Sequence, residues 1–150
     1  MINIRPATTQ DITAMMSLIR ELALYEKAPE EVTVSDSHFE ESLFGEKPVC
    51  WAFVAESAEQ KVVGLALYYI RYSTWKGQRM YLEDIVVAES YRGKGIGKML
   101  MDKLIEEGKT KKFSGMVWQV LDWNVPAINF YKKYNATFDG EWLNAAINFE

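Results

Sequence analysis

The sequence contains a single cysteine and a single histidine, Cys50 and His38, among 150 residues. One cysteine cannot form an internal disulfide, which favours a reducing compartment, and we expect a cytoplasmic protein. With one histidine and no CxxC pair, we expect no zinc site. No apolar run reaches the length of a membrane span, and the N-terminus lacks the charged and apolar segments of a secretory signal.

Basic residues are also fewer than acidic residues. The chain has 17 Lys and Arg against 21 Asp and Glu, which gives a net charge of −4. This balance argues against nucleic acid as a partner and is compatible with a small cationic ligand. The length predicts one domain, residues 1–150, which is large enough to bury a core without a disulfide or a metal.

Hydrophobic periodicity predicts an alternation of strands and helices. Strands are predicted at 2–5, 51–56, 62–72, 80–87, 116–121 and 141–147. Helices are predicted at 12–23, from a Ser35 cap to Gly45, from the glycine-rich segment to Gly108, and after an Asn124 cap. This order indicates an α/β (α+β) domain with a mixed sheet that is antiparallel in its first half.

The segment Arg92-Gly93-Lys94-Gly95-Ile96-Gly97 lies between a predicted strand and a predicted helix. Glycines allow a ligand to approach the backbone closely, and the N–H groups at a helix N-terminus bind anions. A phosphate or pyrophosphate is therefore the expected ligand. The segment lacks the GxxxxGK[ST] pattern of a P-loop, and Lys98 stands where a dinucleotide fingerprint needs glycine. At this point a purely structural role of the glycines in the turn remains an open alternative.

Three further residues are candidates for a chemical role. Glu83 and Asp84 are consecutive in a predicted strand, so we expect their side chains on opposite faces of the sheet. A carboxylate in an apolar strand is costly unless it is paired, so either residue is a candidate for chemistry or for an ion pair. Tyr131 shares a helix face with Phe130 and Tyr134, and its default interpretation is a core aromatic.

The Arg-x-x-Gly-x-Gly pattern resembles the coenzyme A pyrophosphate loop of the GNAT superfamily of N-acetyltransferases. Its context adds to the resemblance, because the loop follows Tyr81-Leu82-Glu83-Asp84-Ile85-Val86-Val87 at the superfamily's spacing. The segments Asp122-Trp123-Asn124 and Asn129-Phe130-Tyr131 follow about thirty residues later. Within the superfamily the chain is most similar to the spermidine/spermine N-acetyltransferase family. The segments 72–77 and 121–124 resemble its thialysine and diamine branch, whereas the polyamine branch has an acidic residue at Ser73.

The resemblance implies a GNAT-type mixed, mostly antiparallel sheet flanked by helices. It also implies transfer of an acetyl group from acetyl-CoA to a primary amine of a small molecule (a diamine, a polyamine or a thialysine-like compound) in a ternary complex. Alternatives are a protein or peptide N-acetyltransferase and a non-catalytic acyl-CoA-binding module. The family is commonly homodimeric, which implies a homodimer here.

The resemblance further implies a set of roles. Tyr131 is the implied general acid, and Glu83 is the implied base, acting through water, with Asp84 as a second candidate. The amine pocket is implied to be lined by Tyr25, Glu26, Trp75, Glu83 and Asp84. The cofactor-binding residues are implied to be Ile85, Val86, Val87, Arg92, Gly93, Lys94, Gly95, Ile96, Gly97, Asn124 and Tyr131.

Overall fold

The computed structural model describes residues 1–149, which form two compact units. The large unit is Met1–Gln119, and the small unit begins at Val120. The strands are β1 (Asn3–Pro6), β2 (Trp51–Glu56), β3 (Val62–Ser73), β4 (Gly77–Val87) and β5 (Met116–Trp118), and the helices are α1 (Ile12–Tyr25), α2 (Asp36–Phe44), α3 (Ile96–Thr110) and α4 (Val125–Lys132). Only α4 belongs to the small unit.

The five strands of the large unit form one sheet in the order β1-β2-β3-β4-β5. The first four strands pair antiparallel, and β5 pairs parallel to β4. A parallel neighbour requires a crossover connection, which α3 supplies. The predicted mixed, mostly antiparallel sheet flanked by helices is therefore confirmed. No helix within residues 1–149 is long and apolar enough to cross a membrane.

The helices of the large unit cover both faces of the sheet. On the first face, which we call the α1 face, Met15 and Met16 of α1 form one buried cluster with Leu65 and Leu67 of β3. On the opposite face α3 approaches β3 so closely that a methyl group added to Gly64 would lie 3.2 Å from Leu100 and 3.3 Å from Ile96. We call this second face the α3 face.

A buried ion pair joins β1 to the start of α1. Both carboxylate oxygens of Asp11 accept hydrogen bonds from Arg5, at 2.8 and 3.0 Å, and Asp11 also accepts one from the backbone N–H of Thr8 at 2.8 Å. Glu56 on β2 binds the same guanidinium at 3.0 Å. The hydrogen bonds from Arg5 lower the pKa of Asp11, because they favour its charged form.

Two predicted helix caps are confirmed. The Oγ of Ser35 accepts a hydrogen bond from the backbone N–H of His38 at 3.1 Å, at the start of α2. Asn124 caps α4 in the same way, because its side-chain oxygen accepts from the backbone N–H of Ala127 at 3.3 Å. In both cases a short polar side chain satisfies an N–H that the helix itself cannot pair.

The helix α3 differs from its prediction in two respects. Gly108 does not end it; the helix continues to Thr110 and ends where Lys112 adopts a positive φ of 61°. Gly108 instead lies against β4, where an added methyl group would be 3.7 Å from Met80. Met99, which we placed on the buried face, is 37% exposed, whereas Met101 is fully buried.

The last two predicted strands are also corrected. The strand predicted at 116–121 ends at Trp118. The strand predicted at 141–147 is absent from the sheet, and the apolar side chains of Trp142, Leu143 and Ile147 are exposed. Apolar residues favour a strand, but a strand forms only when a neighbouring strand is available for backbone pairing.

Candidate active site

The glycine-rich loop connects β4 to α3 and has an unusual backbone. Gly93 and Gly95 have φ values of 77° and 80°, and Gly95 is the N-cap of α3. This left-handed conformation is costly for residues with a side chain, which explains the glycines. A methyl group added at either glycine would meet no atom within 4 Å, so open space borders the backbone. Exposed N–H groups at the start of a 15-residue helix fit an anionic ligand.

The side chain of Arg92 reaches from this loop to α1. Its Nε donates a hydrogen bond to the carbonyl oxygen of Val87 at 3.1 Å, and its Nη2 lies 3.5 Å from a carboxylate oxygen of Glu21. The guanidinium carbon lies 5.8 Å from the centre of the Tyr25 ring. The same Glu21 oxygen accepts a hydrogen bond from the backbone N–H of Glu89 at 2.9 Å. Arg92 is therefore held by β4 and α1 together.

A β-bulge interrupts β4 next to the predicted base. The register pairs Tyr68 with Leu82 but Leu67 with Asp84, which leaves Glu83 as an extra residue in β4. Because residues opposite each other in a ladder share a face, Asp84 lies with Leu67 on the α1 face. Bulges change the direction of side chains and often occur next to active sites.

Glu83 also lies on the α1 face, which corrects the expectation that the two carboxylates point to opposite sides. Burial and, after it, the nearby charge of Glu83 raise the pKa of Glu26, Cys50 and Tyr69. Cys50 belongs to the buried cluster of the α1 face, and Tyr69 packs against it. Alternation along a regular strand predicts opposite faces, but the extra residue of the bulge cancels it.

Glu26, Glu83 and Asp84 form a cluster of carboxylates, which we call the acidic cluster. Burial, together with the smaller effects of the charges of Glu83 and Glu26, raises the pKa of Asp84 to about 7. Burial also raises the pKa of Glu26, with Glu83 as the second cause. A carboxyl group that titrates near neutral pH can exchange a proton under ordinary conditions, which is unusual for Asp.

Two tyrosines beside the acidic cluster were missing from the sequence-based site. Tyr69 and Tyr81 are opposite each other in the β3–β4 ladder, and their rings stack with centroids 4.8 Å apart. The guanidinium of Arg71 lies 5.7 Å from the centre of the Tyr81 ring. The hairpin register, counted from the turn between Ser73 and Gly77, places 69 opposite 81 and would have revealed the pair.

The remaining site residues of the large unit differ in exposure. Trp75, predicted in the amine pocket, lies at the turn between β3 and β4 and is 85% exposed, so it lines no closed pocket in this structure. Tyr25, at the end of α1, is 42% exposed. Val86 is buried in the core of the α1 face, whereas Ile85 and Val87 are partly buried.

Two predicted site residues, Asn124 and Tyr131, belong to the small unit. Tyr131 is 7% exposed, and its ring centroid lies 5.5 Å from that of Phe130 in an edge-to-face arrangement. Phe130 also contacts Tyr134 at 5.6 Å, so these three rings form the aromatic face that the helical spacing predicted. Asn124 caps α4, and its cofactor role stays a prediction.

The family model described as the Acetyltransferase (GNAT) family matches residues 12–136 of the chain. The chain belongs to the GNAT family of acetyltransferases. Its sequence is 44% identical to a bovine thialysine N-epsilon-acetyltransferase over 140 residues, which cover 89% of this chain and 82% of that protein. The mouse protein of the same name is 43% identical over 151 residues, which cover 94% and 89% of the two chains.

Solved structures agree with this family assignment at the level of the fold. A possible acetyltransferase from Clostridium difficile 630 superposes with a TM-score of 0.80 at 21% identity, and the match covers 99% of both chains. The GNAT family membership confirms the sequence-based prediction of an acetyltransferase.

Proposed function

We propose that this GNAT protein transfers the acetyl group of acetyl-CoA to a primary amine of a small molecule, in a ternary complex. The observation that carries the proposal is the arrangement along β4. The acidic cluster lies at the bulge, and the open, glycine-lined start of α3 follows the same strand's end. Between the acidic cluster and the glycine loop lie the last three residues of β4, Ile85-Val86-Val87, then Ala88 and the 3-10 turn Glu89–Tyr91.

The residues of the loop fit coenzyme A. Backbone N–H groups of residues 93–97 would hold its pyrophosphate, helped by the dipole of α3. The ladder between β4 and β5 ends at Leu82 and Trp118, so the structure describes no ladder pairing of Ile85, Val86 or Val87 with β5. These strand residues would offer backbone groups to the pantetheine arm. When bound, acetyl-CoA supplies the activated acetyl group.

The acidic cluster suits an amine acceptor. Glu26 and Glu83 would attract the ammonium form of the substrate, but carboxylates near an ammonium raise its pKa and oppose deprotonation. A different group must therefore accept the proton. Asp84 is favoured over Glu83 because it is the more buried of the two and has a pKa of about 7. A general base is most effective when its pKa is near the working pH.

The reaction then needs three proton transfers. Asp84 accepts a proton from the ammonium, so that the neutral nitrogen can bond to the acetyl carbonyl carbon. The bond from that carbon to sulfur breaks, and the nitrogen releases its second proton to water. Tyr131 is proposed to donate a proton to the departing sulfur, and Asn124 to contact the cofactor; both roles depend on the family resemblance. A phenol with an ordinary pKa near 10 can donate to a thiolate.

The substrate class is proposed from the relatives. The bovine and mouse proteins named thialysine N-epsilon-acetyltransferase are more than 40% identical to this chain, and Ser73 replaces the acidic residue of the polyamine branch. We therefore propose a thialysine-like aminoalkyl amino acid or a diamine rather than spermine, with Tyr25 and Trp75 lining the pocket. Trp75 could provide a cation–π contact if its hairpin closed over the amine.

A single experiment tests the proposal. Purified protein is incubated with acetyl-CoA and a panel of thialysine, lysine, short diamines, spermidine and a lysine-containing peptide, and released thiol is measured. Turnover with thialysine or a diamine, and little with the peptide, supports the proposal. Acetyl-CoA binding by calorimetry without turnover on any amine would favour a non-catalytic module. Turnover on the peptide alone would favour a protein acetyltransferase.

We also propose that the whole chain acts as one domain and as a homodimer. The family match crosses the boundary between the two units, which supports one domain. Exposed Trp142, Leu143, Ile147 and Phe149 leave an apolar C-terminal segment that a second copy could cover. Light scattering of the purified protein tests the dimer: a monomeric mass at micromolar concentration would contradict it.

A further inference from the structure

We propose that Glu21 is a positioning residue for the cofactor loop, acting through Arg92. This inference deepens the proposed function and depends on it. Glu21 lies on α1, far from the loop in sequence, but its carboxylate joins two parts of the connection after β4. One oxygen accepts a hydrogen bond from the backbone N–H of Glu89 at 2.9 Å and lies 3.5 Å from the Nη2 of Arg92.

The contacts of Arg92 restrict the conformation of its side chain more than an exposed ion pair alone would. Its Nε–H donates to the carbonyl of Val87, its Nη2 faces Glu21, and its plane lies near the Tyr25 ring. An exposed ion pair between flexible side chains contributes little. A planar guanidinium bound on three sides has few alternative conformations, which is a property of arginine that lysine lacks.

The position of these contacts in the chain explains how the contact between Glu21 and Arg92 can affect the cofactor loop. Val87 is the last residue of β4, and Arg92 is the first residue of the glycine loop. By joining them, Arg92 closes the 3-10 turn Glu89–Tyr91 against α1. The loop glycines have no side chains that could hold them in place. Glu21 and Arg92 therefore set where the N–H groups of the loop point.

Removing the charge of Glu21 tests the inference, because electrostatics and positioning predict opposite changes in cofactor affinity. A carboxylate near a bound pyrophosphate repels it, so removing this charge should strengthen cofactor binding if electrostatics alone mattered. If positioning through Arg92 dominates, removing it should weaken binding. The two explanations predict opposite changes in the same measurement.

The contact between Glu21 and Arg92 also lies next to residues of the proposed amine site. Glu21 and Tyr25 are four residues apart on α1, so they share a helix face, and Arg92 contacts both. Tyr25 is followed directly by Glu26 of the acidic cluster. Loss of the contact between Glu21 and Arg92 should therefore raise the KM for the amine as well as the Kd for acetyl-CoA, while kcat at saturation changes little.

The experiment compares Glu21→Gln and Glu21→Ala with Glu89→Gln. The control removes an equal charge from the adjacent turn but keeps the backbone N–H that Glu21 binds. Acetyl-CoA affinity is measured by calorimetry and steady-state constants by thiol release. We expect affinity to fall about threefold in Glu21→Gln and about tenfold in Glu21→Ala, because Glu21→Ala loses the charged hydrogen bond to the Glu89 N–H together with the ion pair. We expect Glu89→Gln to bind as tightly as wild type or more tightly.

A double-mutant cycle identifies the route. If Glu21 acts through Arg92, adding Glu21→Ala to Arg92→Ala should weaken cofactor binding by no more than Arg92→Ala alone. Additive losses, or Glu21→Gln binding as tightly as wild type with an unchanged melting temperature, would overturn the inference. If wild-type protein itself does not bind acetyl-CoA, the proposed function fails instead, so the two failures are distinguishable.

Discussion

Glu83 and Asp84 are consecutive residues of one strand, yet both carboxylates lie on the α1 face of the sheet. The extra residue in β4 produces this arrangement, because Leu67 pairs with Asp84 while Tyr68 pairs with Leu82. In a regular strand one of the two would face α3. The bulge thus concentrates negative charge beside Glu26, and this concentration, together with burial, is what raises the pKa of Asp84.

The first prediction concerns the pH dependence of the reaction. If Asp84 accepts the proton, the active form is the ionised one, so kcat/KM for the amine should rise as the pH rises through about 7. Asp84→Asn should lose about a hundredfold in kcat and lose this step. Thiol-release assays across the pH range check it, with the substrate's own titration measured separately. A preserved step in Asp84→Asn and its loss in Glu83→Gln would assign the base to Glu83.

The same residue gives a stability prediction of definite sign. The pKa of Asp84 is about 7 in the folded protein and 3.8 in its ordinary state, so the folded state binds its proton more tightly. Ionisation therefore costs folding free energy, so the contribution of Asp84 to wild-type stability falls as the pH rises from 3.8 to about 7 and is constant above that pH. Asp84→Asn should raise the melting temperature by several degrees at pH 8 and by much less at pH 5. Exposed Glu59→Gln is the control, and an equal shift at both pH values would contradict the prediction.

Local sequence signals predicted most of the fold. Strand β2 was predicted at its observed bounds, and the caps Ser35 and Asn124 were correct, because each depends on residues close in sequence. The bulge at Glu83 could not be predicted, since the position of an extra residue depends on how β3 and β4 pack between helices. The contact between Glu21 and Arg92 joins residues 71 positions apart and leaves no local pattern.

Gly108 and the segment 141–147 show where local rules fail. A glycine near the end of a periodic segment is typical of a helix terminus, but Gly108 lies inside α3, which continues to Thr110. The apolar residues after Glu141 favour a strand, but a strand also depends on a pairing partner. A single local signal therefore does not decide where an element ends or whether it forms.

The third prediction concerns the buried ion pair of Asp11. Its carboxylate is 5% exposed and is bound by Arg5 and by the N–H of Thr8. Asp11→Ala removes two charged hydrogen bonds from Arg5, which keeps Glu56, and leaves the Thr8 N–H without its acceptor, so it should lower the free energy of unfolding by about 3 kcal/mol. Arg20→Gln, which breaks the exposed pair with Asp36, should change it by less than about 0.5 kcal/mol. Urea denaturation checks both, and equal losses would refute the distinction.

The fourth prediction separates backbone strain from cofactor binding. Gly95 and Gly77 both have a φ of 80° and open space where a methyl group would go. Alanine at either position should therefore cost a similar folding free energy, about 1 kcal/mol. Only Gly95→Ala should weaken acetyl-CoA binding, by about tenfold, and Gly95→Asp should weaken it more by adding charge. Calorimetry on both alanine variants checks this, and equal affinities would remove the loop from the cofactor site.

The fifth prediction tests Tyr131 against its neighbour. The rings of Tyr131, in α4, and of Tyr134, just after α4, both pack edge-on against Phe130, so replacing either with phenylalanine keeps the ring and removes only a hydroxyl. If Tyr131 protonates the departing sulfur, Tyr131→Phe should lower kcat about a hundredfold and change acetyl-CoA affinity less than about twofold. Tyr134→Phe should retain wild-type kcat. An unchanged kcat in Tyr131→Phe, or an equal loss in both variants, would mean that the hydroxyl of Tyr131 has no specific part in proton transfer.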